Sequence, residues 1–335
     1  MQSVPKLKQE LKYPSFSIVI EWGRIFQSDE KWRPHSMLQT LCKQIIGIEK
    51  KISNGEILIV FDPEEADLSD VEKFVMKELE PCIDLIQLRF IRAPGILYYE
   101  MKNLGVKQSS PNEIIMFVDS DIVPDDGWLV GMLESFENPE VKVVSGNTYL
   151  GLHNIIAKVL ALITFQPIPD VDYMYERNHF YGQNVAFRRK TILEHPFPKL
   201  NTFHGQADVL INDLVSNNIK IYRQPKIKAD HPMPITLREF VTWGLVQGLV
   251  WPVKRKALRI RDTSKIKGNN PSTFRQIISR TRRRIRYVGL SPKVFIAACG
   301  IIPAHLFLIF IGIILYIFWP NNYDYMTRKK WRVWI

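Results

Sequence analysis

Six short runs of β-branched and large apolar residues recur along the chain: Phe16–Ile20, Ile57–Phe61, Leu85–Ile91, Ile114–Val118, Val141–Ser145 and Ile219–Tyr222. Between several of them lie stretches with helical spacing: Ser36–Ile46, Leu68–Leu79, Ile96–Leu104 and Trp128–Phe136. Strand alternating with helix over residues 1–145 predicts βαβ units. It therefore predicts an α/β fold with a mainly parallel sheet flanked by helices on both faces. In such sheets ligands bind beyond the carboxyl ends of the strands, so acidic residues there are the first place to look for chemistry.

The far end obeys a different rule. From Val294 to Trp319 there is no Lys, Arg, Asp or Glu. The run exceeds the roughly 20 apolar residues needed to cross a bilayer, so a transmembrane helix is expected. Pro303 leaves a kinked span or a re-entrant hairpin open. Charge is placed unevenly: residues 1–237 carry a net −5, residues 238–293 a net +13, and residues 294–335 a net +3. A slightly acidic body is thus followed by a basic segment that leads into the apolar run. Lys and Arg beside a span favour the cytoplasmic side and an anionic membrane surface, each contributing about 1 kcal/mol. A nucleic-acid patch fits less well because the charge abuts the apolar run, and no nucleic-acid partner is expected. Phe240–Val253 is apolar but too short to span; an interfacial helix is the first reading and core packing the second.

These shifts divide the chain into a polar tail (1–14), a catalytic-sized body (15–237), a basic amphipathic interfacial segment (238–293), a transmembrane or re-entrant helix (294–319) and a basic tail (320–335). The tail cations Arg328, Lys329, Lys330 and Arg332 favour the cytoplasm and so a hairpin. Residues 1–14 lack the apolar core of a secretory signal. Cys42, Cys82 and Cys299 have no paired spacing, which suggests neither a zinc site nor a disulfide framework.

The main chemical signal is a buried strand, Ile114–Val118, running into Asp119-Ser120-Asp121. In strand geometry the two carboxylates point to the same side. Like charges that close repel unless a cation compensates, and a hard divalent ion such as Mn2+ or Mg2+ does so. The next acids, Asp125 and Asp126, sit in Pro-Asp-Asp-Gly, which reads as a turn before a helix at Trp128.

In the order of these features the sequence resembles the family 2 glycosyltransferases, which have the GT-A fold, over roughly residues 15–235. Ser17–Ile20 with the helix around Leu38–Gln44 is similar to the family's first βα unit. Glu56–Asp62 is similar to its second strand, which implies Asp62 near the donor base. Lys102-Asn103-Leu104-Gly105 is similar to its Arg-Asn-x-Gly helix end, implying donor contact for Asn103, whose alternative is a local helix-end or donor-loop role. Asp119-Ser120-Asp121 stands in the place of the DxD motif that binds nucleotide diphosphate sugar and metal. Gly182-Gln183-Asn184-Val185-Ala186-Phe187-Arg188-Arg189 resembles the strand beside the acceptor pocket, which implies acceptor-side roles for Gln183 and Asn184. Ala207-Asp208 sits where the family has Glu-Asp, its general base. His231 falls where many members carry a late His near the metal, so the implied metal residues are Asp121 and His231.

The departures are specific. Glu21-Trp22-Gly23-Arg24 replaces Pro-x-Tyr-Asn-Glu, Phe61-Asp62-Pro63-Glu64 replaces Asp-Asp-Gly-Ser, and Ala207 replaces a glutamate. The Gln-x-x-Arg-Trp signature of processive synthases is absent, which favours single addition. Asp208 also has a structural alternative, since Gly205-Gln206-Ala207-Asp208 precedes a helix and Asp is a favoured N-cap. Arg188 and Arg189 either pair with phosphate or flank a strand; Asp213 reads as a solvated helix position.

The resemblance implies an inverting, metal-dependent transferase, and the basic segment with the apolar run Val294–Trp319 places it on the cytoplasmic face of a membrane. Its donor is a nucleotide diphosphate sugar and its acceptor a membrane lipid, a lipid-linked glycan or another membrane-proximal glycan. The alternatives are a nucleotidyltransferase of similar fold and an inactive membrane-surface binding protein.

Overall fold

The computed structural model describes residues 12–22, 32–163, 171–200, 205–232, 236–260 and 274–319. Most of the N-terminal tail, Gly23-Arg24, Pro167-Ile168-Pro169, residues 261–273 of the basic segment and the tail from 320 lie outside the described residues.

The first four runs form strands β1 (Phe16–Trp22), β2 (Gly55–Phe61), β3 (Gln87–Arg92) and β4 (Ile114–Asp119). They pair in parallel in the order β3-β2-β1-β4. Beyond β4 the sheet is mixed. Strand β8 (Asn184–Arg188) runs antiparallel between β4 and β6 (Val143–Leu150). Strand β6 pairs in parallel with β9 (Ile221–His231), against which the two-residue strands β5 (Val123–Pro124) and β7 (Tyr175–Glu176) lie antiparallel. The parallel expectation therefore holds for β3-β2-β1-β4 and again for β6 with β9, while β8, β5 and β7 are the antiparallel members. Strands β5 and β7 are too short to carry an apolar period of their own.

All seven residues of β1 and of β2 are buried, as they must be when both faces are covered. On one face Ile18, Ile20 and Trp22 pack with α1 (Trp32–Gly47), α2 (Leu68–Leu79) and α4 (Trp128–Glu134). On the other, Val19 and Phe117 pack with α3 (Tyr98–Gln108), α6 (Arg189–Glu194) and α7 (Gln206–Ser216). Each such buried side chain contributes about 2 kcal/mol. In α1 the buried Met37, Leu38, Leu41, Cys42 and Ile45 mark one helical stripe. Asp67 starts α2 by accepting from the Ser69 amide at 2.8 Å.

Gly105 shows why α3 can lie so close to the sheet. A Cβ there would sit 2.5 Å from Val19 Cγ1 and 3.1 Å from Val60 Cγ2. Gly105→Ala is expected to destabilise the protein by about 1–3 kcal/mol, read as a lower urea midpoint. An unchanged midpoint would refute this account of the glycine.

A third cluster joins α5 (Ile155–Ala161), shorter than the expected Ile155–Phe165, to α8 (Leu237–Ile260), α9 (Phe274–Val288) and α10 (Pro292–Phe318). Helix α10 continues through Pro303 and is long and apolar enough to cross a membrane. Phe295, Ile296, Leu306, Phe307, Phe310 and Ile317 on it are exposed. Helix α8 contains Phe240–Val253 and packs along α10 backbone against backbone. A Cβ on Gly248 would lie 2.1 Å from the Ile309 carbonyl oxygen, and one on Gly312 would lie 2.2 Å from that of Leu245. Trp243 stacks on His305 at 4.7 Å between centroids. Of the two readings of Phe240–Val253, packing against a partner helix therefore describes its glycine face. Helix α9 is tied to the body by Tyr287, whose hydroxyl donates to the Leu150 carbonyl at 2.6 Å.

Candidate active site

The parallel strands deliver acids to one edge. Register places Glu21, at the end of β1, beside Asp119, at the end of β4. Asp62 follows β2 directly.

Asp119 is engaged by two donors from one helix. It accepts hydrogen bonds from the Tyr98 hydroxyl and from Lys102 Nζ. These two donors are four residues apart on α3 and so share a face. Lys102 is completely buried, an unusual place for a lysine, and its ammonium also lies 4.7 Å from the centroid of the Tyr98 ring. Burial and then Asp119 hold the Tyr98 phenol well above its ordinary pKa. Asp121 lacks so close a cation. Burial first, then the neighbouring Asp119, push its carboxyl up to about 7, against the opposing pull of Arg33 and Lys102. Arg33 is itself buried, donating to the Asp121 carbonyl at 3.4 Å and pairing with Asp230 at 3.4 Å.

His231 ends β9. Burial, with Arg33 adding, holds its imidazole down at about 4, so the ring is neutral at pH 7. Nδ1 lies 2.6 Å from the Pro232 carbonyl, which can only accept. Nδ1 therefore carries the proton and Nε2 the lone pair, the tautomer a metal ligand needs. Among the described residues no group of three His, Cys, Asp or Glu side chains is placed to hold a metal by itself.

Asp208 bears on Tyr99 as Asp119 does: burial, then the charges of Asp119 and of Asp208, all raise the Tyr99 phenol. Its structural alternative can be examined directly. Gly205, at φ 104°, is the N-cap of α7, which puts Asp208 inside the first turn, with no side-chain cap bond at that end. The Asp208 carboxylate instead meets Lys254 Nζ of α8 at 2.7 Å.

Several other residues are occupied elsewhere. Asp62 accepts the amides of Glu64 at 3.0 Å and Gly95 at 3.1 Å, bracing the loops after β2 and β3. Asn103 exchanges two hydrogen bonds with the Phe197 backbone, at 2.8 and 3.1 Å. Asn184 is fully buried, accepting from Trp128 Nε1 at 2.9 Å and donating to Thr148 at 3.3 Å, while Gln183 beside it is nearly buried. These bonds give Asn103 a local role at the end of its helix and give Asn184 local work that its motif did not foretell. Arg188 donates to the Phe136 carbonyl and Arg189 to that of Ser110, each at 2.7 Å, so both flank the strand as loop ties. Asp125 accepts from Tyr149, Asp126 pairs with Lys43, and Gly127 is left-handed, as the turn reading requires. Asp213, read as solvated, pairs with His195 at 2.8 Å.

Sequence reasoning passed over Arg33, Tyr98 and Lys254. Lys102 and Tyr98 could have been found from their spacing of four before a strand that ends in an acid. Nothing local marks Arg33 or Lys254, since each reaches the site from a distant segment.

The glycosyl transferase family 2 model matches residues 35–195. The fold is similar to that of the mannosyltransferase PcManGT from Pyrobaculum calidifontis in complex with GDP-Man and Mn2+, at 15% identity and TM-score 0.52, over 98% of this chain and 88% of that one. It is also similar to GalNAc-T7 with UDP, GalNAc and Mn2+, at 10% identity and TM-score 0.50, over 76% of this chain and 54% of that one. No curated protein matches the chain by sequence. At these identities the structural likenesses speak for the fold, a mixed α/β sheet of GT-A type, and the family match speaks for the activity. The chain carries a family 2 glycosyltransferase domain of GT-A fold: it is a glycosyltransferase.

Proposed function

We propose that this glycosyltransferase moves a sugar, with inversion, from a nucleotide diphosphate sugar to a lipid-linked or membrane-proximal acceptor, with a divalent cation at the end of β4. The observation that carries the reading is Asp121, half-buried beside Asp119, its carboxyl raised to about 7 by burial first and then by that neighbouring charge. A cation there would restore its charge. Asp121 and neutral His231 fit as a partial ligand pair, the remaining positions falling to donor oxygens and water. Both solved neighbours were determined with Mn2+. When bound, the metal neutralises the diphosphate leaving group.

The chain's own residues do the rest. Lys102 and Tyr98 fix the Asp119 carboxylate. Asp208, whose charge acts on Tyr99 together with that of Asp119, takes the proton of the attacking acceptor hydroxyl. One carboxylate suffices for inversion. Asp62, in the loop after β2, is assigned to the donor base and Asn103 to holding the donor loop. Gln183 is assigned to the acceptor wall, and Asn184, fully buried and bonded to Trp128 and Thr148, to the support behind it. The exposed apolar surface of α10 favours membrane anchoring, and the basic segment before it favours a cytoplasmic catalytic face.

The test is the thermal stability of the purified full chain against UDP, GDP, CDP and dTDP, each with and without Mn2+. A ligand at 100 times its Kd stabilises by about 2.7 kcal/mol. One nucleotide should give a Mn2+-dependent rise that Asp121→Asn abolishes. No rise with any of the four, in a protein shown to be folded, would overturn the donor site.

A further inference from the structure

Among the described residues one buried cation, Arg223, has no counter-charge. Arg223, on β9, is 1% exposed, and among the described residues no carboxylate pairs with it. Its Nη2 makes a long 3.5 Å contact to the His179 carbonyl, and its buried Nε has no partner. Burial and the nearby Arg177 bring its pKa down to about 10, which leaves it charged at neutral pH. A guanidinium offers five N–H donors in a planar fork suited to phosphate or carboxylate. Burying one unpaired is unfavourable, so something other than stability keeps it there.

The surroundings are also cationic. Tyr175 on β7 stands opposite Arg223 in register, and Arg177 donates to the Tyr175 hydroxyl at 3.3 Å. The His179 ring lies edge-on to Tyr181 at 4.8 Å, and its buried Nδ1 has no partner. The charges that act on this ring are Arg223, Asp208, Arg177 and Lys254, so three cations and one acid share its neighbourhood. The acid is the residue assigned above as the base, and Lys254 already rests on it at 2.7 Å.

We propose that Arg223, Arg177, Lys254 and the His179 ring form a subsite for a phosphate group carried by the acceptor, next to the hydroxyl that is glycosylated. This deepens the reading of Asp208 as base and rests on it. A phosphate in the subsite competes for Lys254 and draws it from Asp208, leaving that carboxylate able to take a proton. The acceptor oxygen then bonds to the sugar's anomeric carbon as the bond from that carbon to the diphosphate breaks. The proton passes to Asp208, the electron pair leaves with the nucleoside diphosphate, and the acceptor phosphate is unchanged.

Two features assign the phosphate to the acceptor and not to the donor. The donor end has its own cation, Lys102, on Asp119. Lys254 belongs to α8, the helix that packs along the apolar α10, so the subsite is wired to the part of the chain nearest a membrane. The phosphate could belong to a lipid headgroup or to a soluble phosphorylated glycan.

The experiment measures melting of the full-length protein in neutral detergent micelles, with inorganic phosphate or micelle-embedded polyprenyl monophosphate as probe. Wild type should melt higher with phosphate in a saturable way. Arg223→Met should melt at or above wild type without phosphate, lose the phosphate response, and keep its Mn2+–nucleotide response. Arg177→Met and Lys254→Met, on the rim, should each weaken the apparent phosphate Kd at least about 10-fold, and they keep the test open if Arg223→Met fails to fold. A phosphate response unchanged in all three variants, or none in wild type, overturns the subsite. Loss of the nucleotide response in Arg223→Met also overturns it, by giving Arg223 to the donor. Failure of wild type to respond to any nucleotide counts against the donor site instead. Equal responses to the two probes identify a soluble phosphate ester; a response many-fold tighter to the lipid identifies a lipid-linked one.

Discussion

Asp208→Asn is expected to lower kcat by two to four orders of magnitude while leaving the Mn2+-dependent nucleotide stabilisation intact. The size is that of losing a positioned general base. The substitution keeps the shape of the side chain in the first turn of α7 and removes only its basicity. It also leaves Lys254 without its partner, but that ion pair is about one-third exposed on each side (34% and 38%), so little stability should follow it. The favourable carboxylate at a helix N-terminus adds no more than about 1 kcal/mol. A steady-state assay with the donor identified by the melting screen decides the matter. Turnover within about threefold of wild type would remove Asp208 from the chemistry and return it to a structural role beside Gly205.

The second large effect is expected at the crossing of α8 and α10. Gly248→Leu forces a side chain into a space where even its Cβ lies 2.8 Å from Gly312 Cα. Backbone atoms cannot yield as a side-chain tip can, so the helices must separate. The cost should reach about 3 kcal/mol or more, the upper end for overpacking, and close small-residue packing is what holds helix pairs together where water supplies no drive. Lys254 lies six residues further along α8, so separation should also lower activity through Asp208. Gly300→Leu on α10 serves as the control, because nothing lies within 4 Å of its added Cβ. Melting of both variants in lipid nanodiscs is the measurement. Equal melting temperatures would mean that the α8–α10 contact contributes little.

Some of this was legible in the chain itself. Parallel strands such as Phe16–Trp22 and Ile114–Asp119, covered on both faces, write themselves as continuous apolar runs, and the stripe from Met37 to Ile45 writes the helix that covers one of them. The acids at Asp119 and Asp121 stand out because a strand that is buried almost to its end has little reason to finish on two carboxylates. Turn chemistry at Asp125-Asp126-Gly127 is local and was readable for that reason. The apolar run of α10 also needs no partner to be recognised.

What the tertiary structure decided is which polar groups meet. Asn103 and Asn184 occupy motif positions, yet their bonds are made to Phe197, Trp128 and Thr148, which a local motif cannot name. Arg33 reaches Asp230 across almost two hundred residues, and Lys254 reaches Asp208 from another helix. The antiparallel pairings of β8 follow from its entering between β4 and β6, a choice of chain path with no period of its own. Hydrophobic pattern is a property of neighbours along the chain, so sequence determined the elements and the strand-end acids. Charge compensation and the close approach at Gly105 and Gly248 depend on distances between remote segments, and only the fold sets those.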